Sequence, residues 1–273
     1  MSNIVVIGDC FIDRWITCLS TRTSAEVEGL PIYDAQSLRE QNGGAANVFR
    51  AIQRLAPSGP IAVPMTLLGE HTIGERPVKT RLLVEGRQVC RFDLNDTCEP
   101  VAVNRIRDVV DHDSVVVVSD YLKGAIGDAQ IQAIISQEPS IIWTNAKAIQ
   151  PRHWHMDMAR SRRAGPTVFR WTCNQAEYQK DQVFYDRQPW VVVTNGAKGI
   201  TLYTEGQIVQ EAKAWSKDAV SVCGAGDVVL AALVTFDDAR WALEWSMAAA
   251  AVAVERQFTY CPTYSEVQER YER

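Results

Sequence analysis

The chain has 273 residues, 47% of them hydrophobic, which is ample for a large core. Its net charge is −5 and its pI about 5.5, with Lys and Arg scattered rather than blocked. That balance excludes the basic footprint of a nucleic-acid or anionic-membrane binder and favours a small-molecule partner. The seven cysteines (10, 18, 90, 98, 173, 223, 261) form no CxxC pair. They read as reduced thiols of a cytoplasmic protein rather than as a disulfide framework or a zinc site. The start of the chain lacks a basic, then apolar leader, and no apolar stretch reaches the roughly 18 residues of a membrane span, so no targeting or anchoring is expected.

In chain order, NIVVIGD at 3–9 is a β-branched run ending in Gly-Asp. Residues 10–42 mix Thr, Ser and charge, with a strand expected at GLPIYDA (29–35). AANVFRAIQRLA (45–56) has helical periodicity, and 56–77 leave room for one strand, IAVPMTL. KTRLLVEGRQVCRFDLND (79–96) reads as a hairpin turning at Glu-Gly-Arg. VNRIRDVVDH (103–112) is a helix, and SVVVVSD (114–120), SIIW (140–143) and WVVVTNG (190–196) are further strands. Continuous apolar runs suit strands buried on both faces of a parallel sheet, and their alternation with helices predicts an α/β fold. Ligands then bind beyond the carboxyl ends of the strands. With no repeat, low-complexity tract or linker, the expectation is a single domain over 1–273, with 10–42 and 79–96 forming a small β-lid.

The chemistry concentrates in SVCGAGDVVLAALV (221–234), where Gly-Ala-Gly-Asp abuts an apolar helical run. A first helical turn carries unpaired N–H groups and the positive dipole end, so Gly224, Ala225 and Gly226 suit an anion hole. Asp227 there suits a base that takes a hydroxyl proton as phosphate arrives. The same four residues also suit a plain tight turn with an acid at a helix start, and the tetrapeptide alone favours that plainer reading.

CGAGD before a nonpolar helix, together with NGGAANV at 42–48, resembles the ribokinase-like, or PfkB-type, carbohydrate kinase family. Within it, VIGDCFIDRW (6–15), QNGGAANV (41–48), CRFDLND (90–96), SDYLKG (119–124) and TCNQAEY (172–178) are similar, in the same order, to D-glycero-β-D-manno-heptose 7-phosphate kinases. The resemblance implies a three-layer α/β/α sandwich with a mostly parallel central sheet and a β-lid. It implies Asp227 as base and residues 224–226 as the phosphate turn. It implies Asn174 and Glu177 organising Mg2+ through water beside ATP, and Thr194, Gly196, Gly199 and Lys147 on the nucleotide side. It implies Asp13, Gly43, Gly44, Asn47 and Lys123 on the sugar side, with Arg81 and Arg91 on the lid hairpin. The implied reaction is transfer of the γ-phosphate to the anomeric hydroxyl of heptose 7-phosphate. The alternatives are another sugar phosphate or a nucleoside as acceptor, or a non-catalytic sugar- or nucleotide-binding paralogue. A homodimer through the lid is also implied.

The pattern departs from the family at four places. Ser221 and Cys223 stand where an Asp and a Thr usually precede the turn, and VERQFTYCP (254–262) lacks the usual Gly-containing turn, so the match does not extend to the monovalent-cation loop. WTNAK replaces Asp-Pro-Lys ahead of Lys147, and the segment before the lid hairpin is short by a crossover unit. No nucleotidyltransferase-like segment is read, so a later activation step is expected from another protein. His153 and His155 alternate without a third ligand and read as a surface patch. Trp15 and Trp215 are assigned no role.

Overall fold

The computed structural model describes residues 3–56, 64–69, 76–147, 167–216, 218–236 and 239–273. The chain runs β1 (Ile4–Gly8), β2 (Cys10–Thr23), β3 (Pro31–Gly44), α1 (Ala45–Leu55), β4 (Met65–Leu68), β5 (Val78–Val84) and β6 (Arg87–Leu94). It continues with α2 (Val103–Val109), β7 (Val115–Asp120), α3 (Asp128–Ser136), β8 (Ile141–Ala146), β9 (Val168–Asn174), α4 (Gln175–Lys180), α5 (Gln182–Tyr185) and β10 (Val191–Thr194). The last elements are β11 (Ile200–Thr204), β12 (Gln207–Ala212), α6 (Ala225–Thr235), α7 (Ala239–Val254) and α8 (Tyr264–Tyr271).

Among the described residues, eight strands form one sheet in the order β12-β11-β10-β9-β8-β7-β1-β4. The six from β10 to β4 are parallel, and β11 and β12 add antiparallel at one edge. Alternation in the strands sends side chains to two separate cores. Val6, Val117, Trp143 and Val192 pack under α1, α6, α7 and α8. Val5, Ile7, Val116, Val118 and Trp171 pack against α2, α3, α4 and α5 on the other face. This is the α/β fold that the buried β-branched runs predict, in the layered sandwich that the resemblance implies.

The second sheet has the order β3-β2-β5-β6. Its strands β2 and β3 are 14 residues each, longer than the single strand expected at 29–35. Their surface is polar and mostly exposed on β3, so the apolar signal used to find strands is weak there. The 79–96 hairpin turns at Glu85 and Gly86, both with positive φ. The 56–77 strand falls at Met65–Leu68, the later part of its expected span, and 57–63 lie outside the described residues. The helix read over 103–112 stops at Val109. His153 and His155 also lie outside the described residues.

Asp9 sits where the chain leaves one sheet for the other, and it is fully buried. Its carboxylate accepts from the backbone N–H groups of Tyr121 (2.7 Å), Lys123 (3.1 Å) and Ala125 (2.9 Å). One side chain therefore pins the whole loop after β7 in place of lost backbone pairing.

Candidate active site

Gly8, Asp120, Ala146, Asn174 and Thr194 end parallel strands at the same edge of the large sheet. There the first turn of α6 begins. Gly224 is the residue before it, in the left-handed region at φ 76. The Ala225 N–H is taken by the Val222 carbonyl at 3.3 Å, while residues 226 and 227 have no carbonyl one turn back within the helix. A Cβ on Gly226 would meet nothing within 4 Å, so the space over this turn is open.

Asp227 is 5% exposed and takes two side-chain hydrogen bonds. Asn47 Nδ2 donates to Oδ2 at 2.8 Å, and the Tyr121 hydroxyl donates to Oδ1 at 2.8 Å. Burial raises the Asp227 pKa above the ordinary carboxylate value, opposed by those two hydrogen bonds and by Lys147. A base with raised proton affinity suits work near neutral pH.

Asp227 and Gly224 form one wall of a cleft of about 410 Å³. The opposite wall comes from the small sheet: Asp13, Lys79, Arg81, Arg91 and Asp93. Tyr121, Lys123 and Lys147 complete it from the loops after β7 and β8. Asp13 is paired with Arg81 at 2.6 Å, Arg91 with Asp93 at 2.6 Å, and Lys123 with Asp96. The Arg91 hydrogen bond holds the Asp93 pKa below its usual value. Lys79 is 7% exposed and lies over the rings of Phe11 (3.6 Å) and Tyr121 (4.5 Å). Burial, then the neighbouring Lys123, pushes its pKa down to about 8, while Asp13 pulls it up. Burial also lowers the Lys123 pKa.

Of the sequence-derived candidates, Asp13, Lys123, Lys147, Gly224 and Asp227 line this cleft. Asn47 joins it through Asp227, so its amide nitrogen faces the acid rather than open space. Gly43 lies against it, since a Cβ there would sit 2.6 Å from Asp13 Oδ2. Gly44 has φ 61, and its Cβ would fall 2.1 Å from the Asp9 carbonyl, so it closes the junction of β3 and α1. Asn174 and Glu177 form a reciprocal cap at the start of α4, each side chain accepting from the other's backbone N–H at 2.9 and 2.8 Å. Glu177 Oε1 lies 3.6 Å from Lys147 Nζ, which links this cap to the cleft. Thr194 pairs in register with Asn174, and Gly196 and Gly199 frame the short turn into β11. Thr194, Gly196 and Gly199 are therefore beside the Asn174 cap and outside the cleft around Asp227.

Sequence reading missed Lys79, Tyr121 and Asp9. Tyr121 was within reach, because it stands inside SDYLKG beside the singled-out Lys123. A second cleft of about 600 Å³ shares Arg81 and Cys223 with the first, but its walls are more apolar, with Trp15, Leu83, Val222 and Phe258.

Lys79 carries a testable consequence. A lysine with a depressed folded pKa costs stability while charged, and folding gains stability as pH rises from about 8 towards the unfolded value of 10.5. Lys79→Met is expected to raise stability at pH 7 by about 1–2 kcal/mol and to flatten that alkaline rise. Thermal melts from pH 7 to 10 check it, and a less stable variant would show that Lys79 is held by pairing instead.

Residues 170–262 match the pfkB family of carbohydrate kinases. That match covers about a third of the chain. The chain is 28% identical to the bifunctional protein HldE of Azorhizobium caulinodans, over all of this chain and 65% of that protein. It is 26% identical to HldE of Campylobacter jejuni over 85% of this chain and 55% of that protein. It thus spans about half to two-thirds of the HldE proteins it matches. The D-beta-D-heptose 7-phosphate kinase of Bordetella bronchiseptica is 25% identical, with 97% of this chain and 95% of that one covered. Among solved structures, the Thermotoga maritima ribokinase superposes with a TM-score of 0.70 at 14% identity, covering all of both chains. The Arabidopsis thaliana ribokinase complexed with ribose and ATP gives 0.68, also at 14% identity and with full coverage. These likenesses establish the ribokinase fold. Among the described residues, no helix is long and apolar enough to cross a membrane.

Proposed function

We propose that the chain is a pfkB-type kinase that transfers the γ-phosphoryl group of MgATP to the anomeric hydroxyl of a heptose 7-phosphate, giving ADP and the 1,7-bisphosphate. The observation that carries this is the buried Asp227, set at a helix N-terminal turn and facing a cleft whose other wall is cationic. Asp227 takes the hydroxyl proton, and the turn Gly224-Ala225-Gly226 faces the transferring phosphoryl group, with the Gly226 N–H turned to it while that of Ala225 is held by Val222. Asp13, Gly43, Gly44 and Asn47 border the sugar. Lys79, Arg91 and Lys123 offer the cations that the acceptor's own phosphate needs. Thr194, Gly196, Gly199 and Lys147 lie on the nucleotide side.

Asn174 and Glu177 offer hard oxygen donors suited to Mg2+ held through water, and Glu177 Oε1 accepts no hydrogen bond within the Asn174 cap. The bound ion would neutralise charge on the triphosphate. Exposed apolar side chains on the small sheet, among them Leu38, Phe92 and Leu94, support a homodimer formed through it. Val220 and Ser221 both donate to the Val254 carbonyl, at 2.7 and 3.0 Å, which supports a turn closed by protein groups and a rate independent of potassium.

ADP release from MgATP over a panel of heptose, hexose and pentose phosphates, with potassium or with choline, tests the reading. Turnover is expected with heptose 7-phosphate, equal in both salts. Turnover on another sugar phosphate alone would replace the acceptor, and no turnover from folded protein would overturn the kinase reading.

A further inference from the structure

We propose that Tyr121 is the positioning residue of the base, its phenol holding the Asp227 carboxylate in the orientation that meets the acceptor hydroxyl. The proposal rests on the kinase reading above.

A carboxylate at the end of a rotatable side chain is aimed only if both its oxygens are held. Asn47, on α1, donates to one oxygen and Tyr121, on the loop after β7, donates to the other, both at 2.8 Å. The two donors arrive from separate elements, so together they fix the plane of the group. Each oxygen has more than one acceptor site, so one donor apiece leaves room for the substrate's proton. The orientation of Asn47 is itself set, because the Cys261 thiol donates to its Oδ1 at 3.1 Å and turns Nδ2 towards Asp227.

Tyr121 is anchored well enough to serve. Its backbone N–H is held by Asp9 at 2.7 Å, and its ring packs edge-to-face on Phe11 with centroids 5.0 Å apart. The ammonium groups of Lys79 and Lys147 lie 4.5 and 4.9 Å from the ring centroid. Burial and the adjacent carboxylate push the phenol's pKa well above its ordinary value, so it stays a donor. The other charged or titratable groups that act on Asp227 are Lys147 and Asp13, with Cys223 and Cys261 also close enough to be affected by it.

A hydrogen bond to the ionised form lowers proton affinity, so removing it raises that of Asp227. Tyr121→Phe is therefore expected to lower kcat by about 10- to 100-fold with the acceptor KM within about threefold, and to move the acid limb of kcat to higher pH. Placing 3-fluorotyrosine at 121, a stronger donor that keeps the ring, is expected to move that limb the other way. Carbon-13 titration of the Asp227 carboxyl in the parent and both variants reads the same shifts without turnover. If the parent phosphorylates nothing, the kinase reading falls while this titration still decides whether Tyr121 holds Asp227. An unshifted titration, with or without loss of kcat, would reduce Tyr121 to a packing residue and overturn the proposal.

Discussion

Asp227→Asn is expected to lower kcat by about 10³-fold while the protein remains folded. The amide cannot take a proton from an acceptor hydroxyl, so the chemical step loses the base proposed for it. The site tolerates the change because of how its donors are held. Asn47 is fixed by Cys261 and keeps pointing Nδ2 at residue 227, so the new amide must turn its oxygen that way. Its nitrogen then faces Tyr121, whose hydroxyl proton can rotate away so that the oxygen accepts. A stability change within about 1 kcal/mol at pH 7 follows from replacing a buried acid by a neutral isostere with the same number of contacts. The pH dependence separates the two proteins further. The raised Asp227 pKa makes the folded state bind the proton more tightly than the unfolded chain, so the parent loses stability as pH rises from the ordinary carboxylate range through the raised value. The variant lacks that loss, and its residual rate lacks the parent's acid limb. Single-turnover rates and melts from pH 4 to 8 measure both effects, and a kcat within tenfold of the parent would remove Asp227 from the role of base.

The parts of this fold that were legible in the sequence are those whose burial is symmetric. β1, β7, β8 and β10 are covered on both faces and show as unbroken β-branched runs. The antiparallel pair β11 and β12 is hard to read although Glu205-Gly206 marks its turn, because β12 is an exposed edge where Gln207, Gln210 and Glu211 leave only Ile208 and Val209 as an apolar run. In β9, Arg170 and Asn174 interrupt the apolar run, so the segment was noticed for its motif and not for its strand. The site divides in the same way. Asp227 and the Gly-Ala-Gly turn are contiguous and could be found by local chemistry. Lys79 and Tyr121 belong to the site only because β5 pairs alongside β2 and because Asp9 folds the loop after β7 back over the sheet edge. Sequence distances of 106 residues between Tyr121 and Asp227, and 180 between Asn47 and Asp227, carry no local signal.

Gly224→Ala is expected to destabilise the protein by about 2–4 kcal/mol and lower its melting temperature by roughly 5–12 °C. Two costs add. An alanine at φ 76 occupies the left-handed region that only glycine enters freely, and its Cβ would lie 2.6 Å from Thr259 Cγ2 and 2.9 Å from Asn47 Nδ2. Neither neighbour yields readily. Thr259 is buried, with its backbone N–H held by the Gln41 side chain at 3.2 Å, and Asn47 is tied to both Asp227 and Cys261. Whatever relief occurs through Asn47 moves Asp227, the proposed base, so kcat is expected to fall about 10- to 100-fold at temperatures where the variant is folded. Gly226→Ala is the matching control, since its Cβ meets nothing and the position is helical. It is expected to gain about 0.5–1 kcal/mol of stability from helix propensity alone. If Gly226→Ala nevertheless raises the KM for MgATP, the open space over the turn is where phosphate approaches. If both variants keep parental kinetics, the turn is a structural joint and the anion-binding role assigned to it is wrong.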